Sequence, residues 1–227
     1  DQIKGYRWAF DLEKRGHKVC ISSAPELCEL FSEKFITVEH HHALGIYHNW
    51  WLPSMSAISI LEYEYKDIKG TPYIETDGEV VPGRVGVRWS GNPRFEHEQH
   101  RLFPTELMFD AVKGFDCVSL QRDNDEELKP EWMAKTALGT WRSTRTSISK
   151  CELVITSCTS IAHMAAAMGI ETWIVVPLLA YYVWALPGNK SPFYDSVTLY
   201  RQKEYGDWTH PFEQIRNDLK KRKWLKK

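Results

Sequence analysis

Thr159 and His163 stand four residues apart, a spacing that puts a hydroxyl and an imidazole on one face of a helix. The stretch around them, Cys151 to Pro177 (CELVITSCTSIAHMAAAMGIETWIVVP), reads as strand, tight turn, short helix, strand. Leu153 to Ile155 form a short apolar run, Ser157-Cys158-Thr159-Ser160 supply turn and N-cap chemistry, and Ile161 to Met168 repeat apolar residues at helical spacing. Gly169 suits the left-handed residue just past the helix end, and Thr172 to Val176 resume a buried strand. With Thr159 as N-cap, free backbone N–H groups and the positive helix end converge on the two side chains. That is the chemistry of an anion or phosphate site at the carboxyl end of a parallel strand. The same spacing also fits a plainer role, with Thr159 only capping and His163 only lining the core.

Other residues offer chemistry in smaller groups. Arg84 to Trp89 read as a strand ending in Ser90-Gly91-Asn92-Pro93, where small residues allow a ligand's close approach. Arg101 closes the polar loop from Arg94, and Gln121 closes a strand over Cys117 to Leu120. Asp123-Asn124-Asp125 after that strand is an alternative D-x-D metal pair, or a solvated acidic loop. His40, His41, His42 and His48 invite a metal, but adjacent residues on an extended chain point to opposite sides. No metal site is therefore expected. His48, Asn49 and Trp50, with Trp51 beside them, suit sugar faces and hydroxyls, although buried Trp packing fits as well.

These residues need a scaffold, and the chain is long enough to build one. Its 227 residues, 43% hydrophobic, can bury one large core or two small ones. Gln2 to Arg15 reads as a helix with Ile3, Tyr6, Ala9 and Phe10 on one side and Lys4, Arg7, Asp11 and Lys14 on another. Val19 to Ile21 and Phe35 to Val38 read as strands around a helix that starts near Pro25 and runs through Phe31. Tyr63 to Gly83 mixes charges, Gly and Pro and reads as a linker. The expected division is 1–82 and 83–227. Because the pattern begins on a helix with no strand before it, a processed or excised segment lacking the first strand of a doubly wound domain is expected.

Composition excludes several classes. A formal charge of -1 gives no global attraction to nucleic acid, and no nucleic-acid partner is expected. Lys220-Lys221-Arg222-Lys223 with Lys226 and Lys227 offers a local contact for a membrane surface, or simply a solvated helix end. Cys20, Cys28, Cys117, Cys151 and Cys158 include no C-x-x-C pair, which argues against a disulfide framework or zinc ribbon and fits a cytoplasmic setting.

Four stretches taken together resemble heptosyltransferase-like glycosyltransferases of the bacterial and phage type found behind tetratricopeptide repeats. They are VGVRWSGNP with Arg101-Leu102-Phe103-Pro104 after it, VSLQR, ELVITSCTSIAHMAAAMGIETWIVVP, and WALPGNKSPFYDSVTLYRQ followed by GDW. The resemblance implies an α/β, GT-B-like architecture of two Rossmann-like domains, with the N-terminal one small and acceptor-side and the C-terminal one holding a nucleotide-sugar donor. It implies transfer of the sugar to a glycan, lipid or protein hydroxyl, with no cofactor and no metal. On that analogy Ser90, Gly91, Asn92, Gln121, Cys158, Thr159, Ser160 and His163 face the donor, and His48, Asn49 and Trp50 lie on the acceptor side. Arg101 takes the family's basic position, and Asp1 falls where the catalytic base is placed. Cys158 stands where the family usually carries Asp, and a thiol is a weaker hydrogen-bond partner. An inactive sugar-nucleotide or glycan-binding module is the alternative from another class.

Overall fold

The computed structural model describes residues 1–95, 98–122, 125–222 and 224. α1 (Gln2–Gly5) and α2 (Arg7–Lys14) replace the single helix expected over Gln2 to Arg15. Tyr6 between them stays right-handed (φ -55°, ψ -30°), and the Ala9 amide bonds to Tyr6 O at 3.1 Å, so one tighter turn interrupts a continuous run of helical backbone. β1 (Cys20–Ser23), α3 (Pro25–Phe31) and β2 (Ile36–Glu39) follow as expected to within two residues, and β1 and β2 pair in parallel. A 3-10 turn, His40–Gly45, then leads through exposed chain to the short α4 (Ala57–Ile60).

The second half is a larger sheet. β3 (Arg84–Arg88), α5 (Glu98–Arg101), α6 (Thr105–Val112), β4 (Asp116–Ser119) and α7 (Trp141–Ser149) come first. β5 (Leu153–Ser157), α8 (Ser160–Ala167), β6 (Glu171–Val176), β7 (Val197–Arg201) and α9 (Thr209–Lys221) complete it. The five strands lie in the order β4-β3-β5-β6-β7, all parallel.

Both faces of this sheet are covered, which is why its strands read as unbroken apolar runs. Val85, Val87, Leu153, Ile155, Trp173 and Val175 pack under α6 and α9. Val118, Val154, Ile174, Val176, Val197 and Leu199 pack under α8 and Ile148 of α7. Beyond α8 the same core continues into Ile3, Tyr6, Trp8, Leu30 and Phe31 of the first 82 residues. The region before residue 83 thus buries its apolar side against α7 and α8, and the expected linker is fastened down. Tyr73 and Ile74 amides both bond to Ala167 O (2.9 and 3.1 Å), and the Val81 amide bonds to Lys150 O (3.0 Å). Asp77 accepts from Arg145 Nε, Thr146 Oγ1 and Ser149 Oγ. Gly169 has φ +76°, as the helix end requires, and a Cβ there would also run into Pro72 of this strap.

Two elements escape the apolar pattern. α7 buries Thr144, Arg145, Ser147 and Ser149, so its periodicity is polar, and its signal is a capping box in which Thr140 and Ser143 each bond the other's amide (3.1 and 3.0 Å). β7 is a five-residue strand between turn-rich stretches.

Candidate functional site

The order β4-β3-β5 reverses chain direction at β3, so the carboxyl ends of β3 and β5 flank a topological switch, the usual ligand position in open parallel sheets. α8 starts there. Thr159 has the extended backbone of an N-cap (φ -131°, ψ 178°), but its Oγ1 lies 3.3 Å from Thr156 Oγ1 and makes no cap bond. Ser160 is exposed at the helix mouth.

On the β3 side, Gln121 fixes the turn. Its Oε1 accepts from the Trp89 and Ser90 amides (3.3 and 3.1 Å) and its Nε2 donates to Ser90 Oγ (2.7 Å). Gln121 and Ser90 therefore hold each other. Asn92 Oδ1 accepts from the Arg94 amide at 3.0 Å and shapes an exposed turn. The Gly91 amide donates to Glu98 Oε1 (3.0 Å), and a Cβ at Gly91 would run into Arg101 Nη2 and Glu98. Arg101 and Glu98 belong to α5, a helical turn inside what reads from sequence as a polar loop. Arg101 Nε donates to Glu98 Oε2 (2.6 Å), its Nη1 donates to Cys158 O, and its guanidinium lies 4.7 Å from the Phe95 ring centre. One arginine thus ties the β3 loop to the mouth of α8.

Behind the mouth Cys158 and His163 are both buried and neutral. Cys158 Sγ accepts from Trp184 Nε1 at 3.0 Å, and burial pushes its thiol up, which keeps it protonated at neutral pH. His163 is buried, stacks on Trp184 (5.2 Å, 20°) and shares a 2.9 Å hydrogen bond through Nδ1 with Tyr194 OH. Burial, with cationic Lys4 and Arg7 nearby, holds its imidazole well below the ordinary value. His163 is a neutral wall residue one turn behind the mouth.

Lys4 and Arg7 are the residues that sequence reasoning missed. Expected on the polar side of the first helix, they are only 2% and 6% exposed. Their face of the helix meets α8 and the loop after β6, where aromatic groups take the place of water. Lys4 Nζ reaches Tyr182 OH and Met55 Sδ (3.5 Å) and sits 4.3 Å from the Tyr182 ring centre. Burial lowers its ammonium below the usual lysine range. Arg7 donates to Phe193 O (2.7 Å) and Tyr73 OH (3.3 Å) and lies 4.7 Å from the Tyr194 ring centre. Among the described residues the carboxylate bonded to Lys4 is Asp1, whose Oδ1 also accepts from Tyr181 OH at 2.7 Å. Asp1, Lys4, Tyr181 and Tyr182 form a cluster at the amino end of α1, which packs against α8.

A cavity of about 110 Å³ opens beside the first turn of α8, with Arg88, Arg122, Trp141, Thr144, Ser160 and Ile161 in its wall. It has the size for a phosphate group and two guanidinium residues in its lining. A wider hollow of about 610 Å³ lies at the other end of α8, among Phe10, Pro72, Tyr73 and Met168.

The remaining expectations lie apart from the mouth. Trp50 and Trp51 are 87% and 77% exposed, which removes the buried-packing alternative. His48 Nδ1 lies 2.7 Å from Ile46 O, and Asn49 Nδ2 donates to Tyr47 OH at 3.5 Å. This loop reaches the Asp1 cluster through Met55, and among the described residues no hydrogen bond or ring contact joins His48, Asn49 or Trp50 to α8. His40 to His42 are not extended: the 3-10 turn brings the His41 and His42 rings to 3.9 Å, so the opposite-sides reasoning does not hold there. Asp123 and Asn124 of the D-x-D pair lie outside the described residues, and Asp125 is a left-handed turn residue (φ +67°) whose carbonyl accepts from Trp89 Nε1. Lys223, Lys226 and Lys227 also lie outside them, while Lys221 pairs with Asp218 (2.6 Å) and Arg222 with Glu171 (2.8 Å).

Among the described residues no helix is long and apolar enough to cross a membrane. No family model matches this chain, and no curated protein or solved structure matches it.

Proposed function

We propose that the chain is a glycosyltransferase of the GT-B-like kind, moving a sugar from a nucleotide diphosphate donor to an acceptor hydroxyl with inversion and without a metal. The observation that carries this reading is the convergence of Arg101, the two cavity arginines and exposed Ser160 at the start of α8 on the switch between β3 and β5.

In this mechanism the donor diphosphate lies against the α8 mouth. Arg101 turns part of its fork from Cys158 O to phosphate oxygens, and Glu98 keeps the guanidinium in place. The acceptor oxygen attacks the anomeric carbon from the face opposite the diphosphate, and its proton goes to the Asp1 carboxylate. The carbon–oxygen bond to phosphate breaks, and its electron pair leaves with the diphosphate. Guanidinium charge and helix N–H groups stabilise that developing charge as a metal would. Lys4, bonded to Asp1, keeps the carboxylate oriented toward the acceptor.

A second reading, a sugar-nucleotide-binding module without turnover, is favoured by one observation: Arg101 is already matched by Glu98, and Asp1 by Lys4 and Tyr181. A nucleotide-sugar panel scored for both binding and donor hydrolysis separates the two. Binding with hydrolysis is expected, binding alone selects the module, and no binding removes both readings.

A further inference from the structure

We propose that Glu39, His41 and His42 form a binding site for a borderline divalent transition-metal ion such as zinc, cobalt or nickel. One ligand atom from each of these residues lies within 4.8 Å of the other two. Glu39 Oε2 and His41 Nδ1 are 3.5 Å apart, and the two imidazole rings are 3.9 Å apart, tilted by 52°. Bonds of about 2.0–2.2 Å to nitrogen and oxygen place neighbouring ligand atoms of a tetrahedral ion roughly 3.3–3.5 Å from each other. The carboxylate–imidazole pair is already at that edge length, and His42 needs only a side-chain rotation in open solvent to close the third corner.

The fold explains why these residues meet. Glu39 is the last residue of β2, and the chain then tightens at once into the turn His40–Gly45. A 3-10 turn advances three residues per revolution, so the ring positions that an extended chain would send apart are brought back toward the strand end. His40 is not a ligand. Its Nδ1 pairs with Ser22 Oγ at 2.8 Å and its Nε2 lies 3.3 Å from Gln2 Nε2, which anchors the turn to β1 and α1. The site is therefore held from behind by one histidine and opened to solvent by the next two.

Donor chemistry selects the ion. Two imidazoles and one carboxylate suit zinc, cobalt and nickel, whereas calcium and magnesium prefer an all-oxygen shell. Three protein ligands leave a position for water or an exogenous ligand. Occupancy would tie the end of β2 to the turn and stiffen the start of the exposed loop that carries Leu44, Tyr47, Trp50 and Trp51. The site is separate from the proposed transfer reaction, and its test reads no turnover.

The experiment uses tag-free full chain stripped with a chelator, titrated with cobalt by visible absorption and with zinc by calorimetry. One ion per chain is expected. His41→Ala and His42→Ala should each weaken it about tenfold or more, and Glu39→Gln should weaken it as well, while His48→Ala leaves it unchanged. Because His41 and His42 are exposed and Glu39 is only half-buried at the end of β2, circular dichroism of the variants should match the parent. Absence of binding by the parent chain overturns the proposal. So does one-ion binding that survives in the His41→Ala/His42→Ala double variant, or a strong near-ultraviolet sulfur-to-cobalt band, which would assign the ion to a cysteine.

Discussion

The two parallel sheets solve the same problem with different amounts of cover. β5 and β6 lie between four helices, and nearly every residue in them is buried. β1 and β2 have one packed side at most, and Ile36 at the start of β2 is 58% exposed. The covered sheet fixes a rigid mouth for α8. The open one leaves Ile36 and the tryptophan-bearing loop after β2 facing solvent.

The largest effect that tests this contrast is on stability. Ile155→Ala, in the covered sheet, should cost about 2–5 kcal/mol in urea unfolding, whereas Ile36→Ala should stay within about 0.5 kcal/mol. Equal losses would mean that the two sheets share their load. Next is catalysis: Arg101→Ala should lower turnover by about 10²- to 10³-fold if the guanidinium stabilises a leaving diphosphate, and Arg101→Lys should recover only part of it. Near-normal turnover in the alanine variant would leave Arg101 as a tie between α5 and α8 only.

Acidity separates the regions in a third way. Folded His163 stays neutral, while its unfolded counterpart takes a proton near pH 6.5. The unfolded state therefore binds more protons below that value, and stability falls as the pH drops from about 6.5. Burial pushes the Asp77 carboxyl up, but hydrogen bonds from Thr146 and Arg145 more than offset this and leave it below its ordinary 3.8. Its contribution is present above that value and is lost as pH falls through the lower, folded one. Melting curves from pH 7 to 3 should then show two limbs. His163→Gln should flatten the upper limb and Asp77→Asn the lower, and a His163→Gln profile identical to the parent's would contradict the buried, neutral imidazole. The smallest effect is expected at Trp50→Ala and Trp51→Ala, which should move the melting midpoint by no more than a degree or two, since both rings face solvent.

What could be read from the sequence follows the covered sheet. The run Leu153 to Val176 announces itself because local pattern and tertiary burial agree there, down to the left-handed Gly169. α7 was illegible because its buried side is made of Thr, Ser and Arg. Lys4 and Arg7 were misplaced for a different reason. Charged residues at helical spacing normally face water, and two of the aromatic groups that receive these two, Tyr73 and Tyr182, lie 66 and 178 residues further along. At the histidines the error was one of backbone shape, since nothing local distinguishes a 3-10 turn from an extended continuation of β2. Within the site, Gly91 and Gln121 read as places where a ligand approaches, yet each is also required by a neighbouring side chain, Arg101 in one case and Ser90 in the other.

The docking of α1 against α8 also sets an order of events during synthesis. Among the described residues no carboxylate pairs with Arg7, and the more distant in sequence of the two carbonyls it grips belongs to Phe193. At about 5–20 residues per second, the ribosome needs roughly 10 to 40 s to cover the 186 residues between them. Throughout that interval Arg7 lacks the carbonyl that receives it, although Tyr6 and Phe10 can already pack on Phe31 and Phe35. The segment that carries Lys4 and Arg7 is thus made well before the residues it seats against.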